Sequence, residues 1–324
     1  MSEERVSLMD VLRRLQVVRA IDAILEDQYR AEEEAKLARE KDENIRSETF
    51  HQSFHASSFP LADTACARKA LYSMMALPAD EPVSRYGRAI MESGEHIEDR
   101  IVARFRDAGV LLSQNDGPGK QTNFRHSDYW LTGFVDSIIN LNSAVHVVEI
   151  KSKKHAHVEE MRSGTRKWDE QHRGQAMTYI WFARMAHEVM GWDKLGLAKC
   201  RTASILYVSR DAPGYTAEFW IDWDEAEFNA ALEKLRQWRQ WFIDKYLPKR
   251  EKGLYWTKPP CQWCDFKGPC KEDDKSGCES LTESAAVERA KQVISKYDFD
   301  QVWEGVLSSW GVEHASTSTT SSGQ

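Results

Sequence analysis

Three charged residues beside two apolar, β-branched runs have the types and spacing to bind a metal ion. Asp136 lies in the first run, and Glu149 and Lys151 flank Ile150 at the end of the second. Side chains alternate along a strand, so Glu149 and Lys151 are expected on one face, within reach of Asp136. Adjacent carboxylates repel each other unless a cation lies between them, and their oxygens suit Mg²⁺ or Mn²⁺.

Two neighbouring groups extend this prediction. The backbone carbonyl of Ile150 points away from the flanking side chains and is a candidate further ligand. Lys151 would hold an attacking water or offset the charge of a phosphate. An ordinary salt bridge at a strand end is the alternative interpretation of so short a pattern.

These residues must be positioned by a β-hairpin. Apolar runs at 134–139 and 145–150 flank the polar residues 140–143, the pattern of two antiparallel strands joined by a turn. The second run is mostly apolar and predicts a strand covered on both faces. Charged side chains are rarely placed at the end of such a strand without a partner.

A second group of candidate ligands lies near the C-terminal end. Cys261, Cys264 and Cys270 follow the pattern Cys-x₂-Cys-x₅-Cys among prolines and a glycine, which indicates a bound metal or iron–sulfur cluster. A fourth ligand is needed. Cys278 would complete a tetrahedral zinc site, whereas Cys66 would complete a [4Fe–4S] cluster that joins distant parts of the chain.

Composition and charge exclude some classes of protein. The 324 residues are 29% charged and 41% hydrophobic, which is typical of a soluble globular protein. No apolar run reaches the ~20 residues of a membrane span, and residues 1–5 lack the apolar segment of a signal peptide, so we expect a cytoplasmic protein. The net charge of −7 argues against a basic nucleic-acid coat, and a DNA partner would need a local basic groove. In a reducing compartment the six cysteines suit metal ligands or free thiols, with Cys200 as buried packing.

The sequence divides into three parts. Residues 1–58 predict a charged helical arm followed by a linker, and the arm is either solvated or a helix that binds a partner. Residues 59–312 contain the hairpin, the cysteines and the main helices. Residues 313–324 are rich in Ser and Thr and predict a disordered tail.

Periodicity and turn residues place the other elements of the main domain. Helices are predicted at 60–76, 84–108, 168–190, 223–247 and 283–308, strands at 110–113, 202–209 and 215–221, and a turn at 115–119. Residues 151–167 are basic and rich in histidine, and they predict either a loop that contacts phosphate or a merely solvated loop.

Taken in order, these features resemble the RecB-type nucleases of the PD-(D/E)xK superfamily, in the branch with an iron–sulfur cluster. That branch includes the AddB nuclease domain and the small nucleases associated with CRISPR adaptation. The resemblance covers residues 60–280, and its motifs are Cys66-Ala-Arg68-Lys69, His96 after a glycine in a helix, Gly133-Phe-Val-Asp136, Glu149-Ile-Lys151, Gln175 to Tyr179, and the triplet Cys261, Cys264 and Cys270. The long N-terminal arm, Cys278 and the Ser/Thr tail depart from the family pattern.

The resemblance implies a fold and an activity. The fold would be α/β and restriction-endonuclease-like, with a mixed central sheet flanked by helices and a Cys-ligated cluster joining its N- and C-terminal parts. The activity would be that of a Mg²⁺- or Mn²⁺-dependent DNA exonuclease in recombination, replication or repair, acting on single strands. The rival is a DNA-binding or assembly module on the same fold, with a structural zinc or iron–sulfur site.

The resemblance also assigns roles to individual residues. His96 would be a further metal ligand, and Gln175 and Tyr179 would contact DNA or support Lys151. Cys66 would be the fourth ligand of a structural [4Fe–4S] cluster. DNA is the expected partner, and the N-terminal arm would recruit a recombination or CRISPR-adaptation protein.

Overall fold

The structure is a computed structural model, and it describes most of the chain from residue 53 to residue 312. The described ranges are 53–61, 65–80, 84–113, 122–190, 196–212, 214–250, 256–257, 261–294 and 297–312. They all belong to a unit that spans Phe50–Gln324. The predicted arm, the predicted turn at 115–119 and the predicted tail lie outside these residues.

Eight strands and eight α-helices are described within these ranges. The strands are β1 (Phe54–His55), β2 (Leu111–Ser113), β3 (Thr122–His126), β4 (Leu131–Val135), β5 (Ser137–Leu141), β6 (Ala144–Lys153), β7 (Thr202–Ser209) and β8 (Thr216–Asp222). The helices are α1 (Ala67–Met74), α2 (Arg85–Asp107), α3 (His155–Arg162), α4 (Glu170–Met190), α5 (Glu225–Ile243), α6 (Lys267–Ser276), α7 (Ala285–Val293) and α8 (Phe299–Ser309). This order of elements agrees with the predicted α/β class.

The strands form two mixed sheets, where the sequence predicted a single central sheet. The larger has the order β2-β5-β6-β7-β8, with β6 and β7 parallel and the other pairs antiparallel. The smaller has the order β1-β4-β3, in which β1 runs parallel to β4 and β3 antiparallel to it. The chain passes from the smaller sheet to the larger at Asp136, which lies between β4 and β5.

The predicted hairpin is present as the pair β5 and β6, but its first strand begins at Ser137, because the predicted residues 134 and 135 belong to the end of β4. Its turn is shorter than expected, because only Asn142 and Ser143 lie between the strands. Both residues have positive φ angles, 50° and 67°, as in the type I′ turns that match the twist of paired strands. Strand β6 also continues to Lys153, three residues beyond the predicted end.

Strand β6 is covered on both faces, as its apolar sequence predicts. One face packs against α4, whose residues Met177, Tyr179 and Ile180 are fully buried. The other face packs against α2, where Ile97 and Ile101 contact the apolar cluster that includes Val148 and Ile150. The charged end of β6 is therefore fixed between two helices. In the part of the chain that the structure describes, no helix is both long and apolar enough to cross a membrane.

Three local predictions are wrong. Residues 53–58, expected to be part of a linker, contain β1 and a short 3₁₀ helix, because Phe54 and Ala56 are buried in the core. Residues 155–162, expected in a loop, form α3, whose Val158 and Met161 are buried. The helix predicted at 283–308 is two helices, because the Asp298 side chain accepts a hydrogen bond from the Gln301 N–H and starts α8.

The other predicted helices and strands lie close to their predicted positions, and strand β3 and helix α6 were not predicted. The helix predicted at 60–76 is described as an α-helix only over Ala67–Met74, and it begins directly after Cys66. Strand β3, which pairs with β4, was not predicted. Cys200 is fully buried, as expected for packing.

Candidate active site

Asp136 is fixed to the strand that carries the other two charged residues. Its carboxylate oxygen Oδ2 accepts a hydrogen bond of 2.7 Å from the backbone N–H of Ile150. The Asp136 side chain is 6% exposed. Burial raises the pKa of Asp136, and the positive charge of Lys151 and the Ile150 hydrogen bond act against that rise. The sequence prediction that Asp136 approaches Glu149 and Lys151 is therefore met by the geometry.

Glu149 is a fully buried carboxylate at the centre of this group. Its oxygen Oε1 contacts the ammonium of Lys151, and neither oxygen has another hydrogen-bond donor among the described residues. Burial and the nearby charge of Asp136 raise the pKa of Glu149 to about 8. Buried carboxylates are normally fully hydrogen-bonded, so the vacant acceptor capacity here suits a bound cation.

Lys151 provides the positive charge of the site. Burial would lower the pKa of Lys151, but the carboxylates of Glu149 and Asp136 raise it above its usual value, so the side chain stays protonated. About a quarter of its side chain, 26%, is exposed, whereas Glu149 has no exposure. The ammonium therefore lies at the solvent side of the carboxylates.

Helix α2 carries Glu98, whose charge reaches this group, and the predicted metal ligand His96. The charge of Glu98 acts on both Glu149 and Lys151 and raises the pKa of each. His96 is exposed and lines a different hollow with Arg100 and Arg210. Two residues along a helix differ in direction by about 200°, so one helix face cannot present both residues to the site. Glu98 directly follows the buried Ile97 and lies three residues before the buried Ile101. This position beside the buried face of α2 is the signal in the sequence that points to Glu98.

Gln175 and Tyr179 lie on one face of α4, and the charges of Glu149 and Asp136 reach Tyr179. The Gln175 amide donates a 3.0 Å hydrogen bond to the Tyr179 hydroxyl, and both side chains are buried. Burial and then the charges of Glu149 and Asp136 raise the pKa of Tyr179, which therefore remains neutral.

Gly133 makes room for the Tyr179 ring. A Cβ atom at Gly133 would lie 2.7 Å from Cε1 of Tyr179 and 2.9 Å from Cβ of Ala56. Both distances are shorter than side chains tolerate, so the ring can rest against β4 only where that strand has no side chain. The glycine three residues before Asp136 thus has a packing role.

Two histidines that the sequence analysis did not select also face Lys151. Burial and then the charge of Lys151 lower the pKa of His55 in β1 and bring that of His172 in α4 to about 3. His172 Nδ1 lies 2.9 Å from the hydroxyl of Tyr207, the β7 residue that pairs with Lys151. The sequence predicted a linker at His55. The position of His55 near the site depends on the pairing of β1 with β4, which the sequence does not indicate.

The four cysteines of the predicted cluster line one cavity. Cys66, at the start of α1, shares this cavity of about 90 Å³ with Cys261, Cys264 and Cys270. The basic side chains of Lys69 and Arg250 lie in the same wall. Four thiol ligands with nearby positive charge are the donor set and the compensation that an anionic iron–sulfur cluster requires.

Arg68 joins the two segments that supply these cysteines. Its guanidinium donates to the backbone oxygens of Pro248 at 2.6 Å, of Cys270 at 3.4 Å and of Cys278 at 3.4 Å. Cys278 itself is not among the residues that line the cavity, and its thiol donates to the Ser280 carbonyl at 3.2 Å. Cys278 as the fourth ligand, and with it the zinc site that Cys278 would complete, therefore has no support from its position.

Within the described ranges, no three or more His, Cys, Asp and Glu side chains are arranged as a site for a single metal ion. A four-iron cluster is larger than one ion, so its sulfur ligands need not converge on one point. At the carboxylates, Asp136 and Glu149 supply two side chains, and the charge of Glu98 reaches Glu149. A metal there would be completed by backbone, water or substrate oxygens.

Comparison with known proteins identifies a family. The family model described as the PD-(D/E)XK nuclease superfamily matches residues 16–271, which is most of the chain. No curated protein matches the sequence.

Solved structures give weaker similarities. One is an alkaline exonuclease, LHK-Exo, from Laribacter hongkongensis, with 14% identity and a TM-score of 0.37 over 60% of this chain and 93% of that chain. Another is a phage-related exonuclease from Haemophilus somnus 129PT, with 14% identity and a TM-score of 0.40 over 60% of this chain and 96% of that chain. The family match, and not these similarities, carries the assignment.

Proposed function

Because this chain belongs to the PD-(D/E)XK nuclease superfamily, we propose that it is a Mg²⁺- or Mn²⁺-dependent DNA exonuclease that also holds a [4Fe–4S] cluster. It hydrolyses phosphodiester bonds, preferably of single strands, in recombination, replication or repair in the cytoplasm. The single-strand preference, the exonucleolytic mode and the partner protein for the N-terminal arm follow from the resemblance to RecB-type nucleases. Contacts of the described residues support the metal site and the cluster.

The observation that carries the proposal is the buried carboxylate of Glu149. It has no exposure, its oxygens receive no hydrogen bond beyond the Lys151 contact, and a second carboxylate lies beside it. Without a cation this arrangement is costly, since one ammonium cannot offset both Asp136 and Glu149. Asp136, Glu149 and the carbonyl of Ile150 would hold the ion, and Glu98 would add charge.

Strand geometry supports this role for the Ile150 carbonyl. The N–H and C=O groups of one strand residue point to the same side, and the Ile150 N–H points to Asp136. Pairing between β5 and β6 ends at Ser137 and Val148, so the carbonyl lies beyond the last paired residues. It is therefore available on the side where the carboxylates lie.

The chemistry that a bound divalent ion supplies is to lower the pKa of a water molecule and to offset charge on the scissile phosphate. Lys151, at the solvent side of Glu149, would orient that water and stabilise the developing charge. Gln175 and Tyr179 would keep the Glu149 end of β6 in place from α4. None of these residues needs to form a covalent bond with DNA.

The cluster would have a structural role. Hydrolysis requires no electron transfer, and the four cysteines come from segments about two hundred residues apart in sequence. The proposal is supported by their shared cavity and by the basic residues around it. The cluster would fix α1 against the C-terminal helices.

The proposal is tested by cleavage of end-labelled oligonucleotides with Mn²⁺, using the intact protein and Lys151→Ala. We expect metal-dependent cleavage that falls by about a hundredfold or more in the variant. Lys199→Ala, at an exposed position away from the site, is the matched control. Substrates blocked separately at each end distinguish exonuclease from endonuclease. DNA binding without metal-dependent cleavage by the intact protein would instead favour the assembly module.

A further inference from the structure

The hollow that contains His96 lies outside the carboxylate site and has an unbalanced positive charge. Its volume is about 380 Å³, and it is formed where α2 crosses the C-terminal end of β7. Arg100, Arg210 and His96 line it, and Glu92 is the acidic residue among the described lining residues. Two guanidinium groups therefore face one carboxylate.

The three cationic or basic side chains have no partner within the described part of the chain. No ion pair, side-chain hydrogen bond or ring contact is formed by His96, Arg100 or Arg210 there. Arginines in a concave surface usually pair with a carboxylate, as Arg173 does with Glu227 and Arg289 with Asp80 elsewhere in this structure. The unpaired guanidinium groups thus indicate an anionic ligand from outside the chain.

Helix and strand geometry bring these side chains together. His96 and Arg100 are four residues apart on α2 and lie on one side of that helix. The backbone N–H of Arg210 donates to the carbonyl of Lys153 at 2.9 Å, so Arg210 is anchored to the end of β6. Helix α2 approaches β6 closely here, because a Cβ at Gly94 would lie 3.3 Å from the Ser152 hydroxyl.

The hollow lies close to the carboxylate site but on the other side of β6. Lys153 is two residues beyond Lys151, roughly 7 Å along the strand. Glu149 and Lys151 face α4, whereas the hollow opens on the α2 side. A nucleic-acid strand that leaves Lys151 across the end of β6 reaches the hollow within a few nucleotides.

We infer that this hollow binds a backbone phosphate of the DNA strand, next to the scissile bond but outside the metal site. This inference rests on the proposed nuclease function and adds a substrate-binding site to it. Arg100 and Arg210 supply planar donors for the phosphate oxygens, and His96 adds a third donor. His96 is thereby assigned to the substrate and not to the metal.

The test measures DNA binding in EDTA, where no cleavage occurs. The readout is the fluorescence anisotropy of a fluorescein-labelled single-stranded oligonucleotide. Arg100→Ala and Arg210→Ala should each weaken binding roughly threefold to tenfold, and together they should lower the slope of log affinity against log salt by about 0.7 to 1.4. His96→Ala should also weaken binding in EDTA. Circular dichroism and urea unfolding establish that each variant is folded.

Arg104→Ala is the matched control, since Arg104 is exposed on α2 and does not line the hollow. Unchanged affinity and salt slope in the Arg100→Ala, Arg210→Ala double variant would overturn the inference, as would an equal loss in Arg104→Ala. So would a His96→Ala variant that binds DNA normally in EDTA and is impaired only in its response to Mn²⁺. If DNA binding depends on the hollow but the protein never cleaves DNA, only the nuclease proposal is refuted.

Discussion

The backbone N–H of Ile150 donates a 2.7 Å hydrogen bond to Oδ2 of Asp136. Asp136 lies between the two sheets, and Ile150 lies between Glu149 and Lys151 on β6. This bond sets the separation of the two carboxylates without using a side chain of β6. Asp136 therefore accepts a backbone hydrogen bond and also carries a negative charge. A substitution can remove the charge and keep the hydrogen bond, or remove both.

Asp136→Asn and Asp136→Ala are predicted to differ in stability but not in activity. Asparagine keeps an oxygen for the Ile150 N–H and removes the charge beside Glu149, so its free energy of unfolding should stay within about 1 kcal/mol of the parent. Alanine leaves the buried N–H without a partner and should cost about 1–3 kcal/mol. Both variants should lose metal-dependent cleavage. Urea unfolding in EDTA measures stability, and equal stability of the two variants would contradict a structural role for this bond.

The contribution of Glu149 to the stability of the metal-free protein is predicted to fall as the pH rises from about 4.5 to about 8. Glu149 has a pKa of about 8 in the folded protein and an ordinary value of 4.5. In this window the folded state keeps a proton that the unfolded chain has released, so rising pH favours unfolding. Glu149→Gln removes the titrating group and should flatten this part of the curve.

Urea unfolding over a pH series in EDTA checks the contribution of Glu149. Other groups oppose it, because the lowered pKa of His146 and His172 makes stability rise with pH below their ordinary value of 6.5. The comparison is therefore the difference between Glu149→Gln and the parent at each pH. A difference that does not change across the window would show that Glu149 is not a buried, protonated acid.

Alanine substitutions at two glycines are predicted to have opposite effects. Gly133→Ala places a Cβ against the buried Tyr179 ring and should cost about 1–3 kcal/mol. Gly305→Ala, in α8, meets no atom within 4 Å and should stabilise the protein by about 0.5–1 kcal/mol through helix propensity. Thermal or urea unfolding of both variants gives the comparison. A neutral Gly133→Ala would mean that the Tyr179 ring can move.

Cys66→Ala is predicted to abolish the colour of the purified protein. An iron–sulfur cluster gives broad visible absorption, and Cys66 lines the cavity with Cys261, Cys264 and Cys270. Cys278→Ala should keep both the absorption and the iron content, because Cys278 lies outside that cavity. Colour that survives in Cys66→Ala but is lost in Cys278→Ala would require another ligand set. A colourless protein containing zinc would refute the cluster.

The hairpin and its charged end could be predicted because their signals are local. Alternation along β6 places Glu149 and Lys151 on one face, and two apolar runs around a short polar segment define the pairing. The position of Asp136 also follows from this pairing. The spacing of the cysteine residues indicated a metal or cluster but left Cys66 and Cys278 as alternatives. The resemblance favoured Cys66, and Cys66 lines the cavity with the other three cysteines.

Contacts between distant elements could not be predicted in the same way. The choice between His96 and Glu98 depends on how α2 is rotated over β6, and both residues fit a helix in the sequence. The charge of Lys151 acts on His55 only because β1 pairs with β4, and these two strands are more than seventy residues apart in sequence. A two-residue strand has too few positions to show alternation.

The contacts of Arg68 have a practical consequence for handling this protein. They hold α1 to the segments around Pro248 and Cys270 through protein atoms alone, and the Tyr72 hydroxyl adds a buried bond to Asp273. If the protein holds the proposed cluster, loss of that cluster would leave these contacts in place. A pale preparation would then still be folded, and assays should measure iron content separately from foldedness.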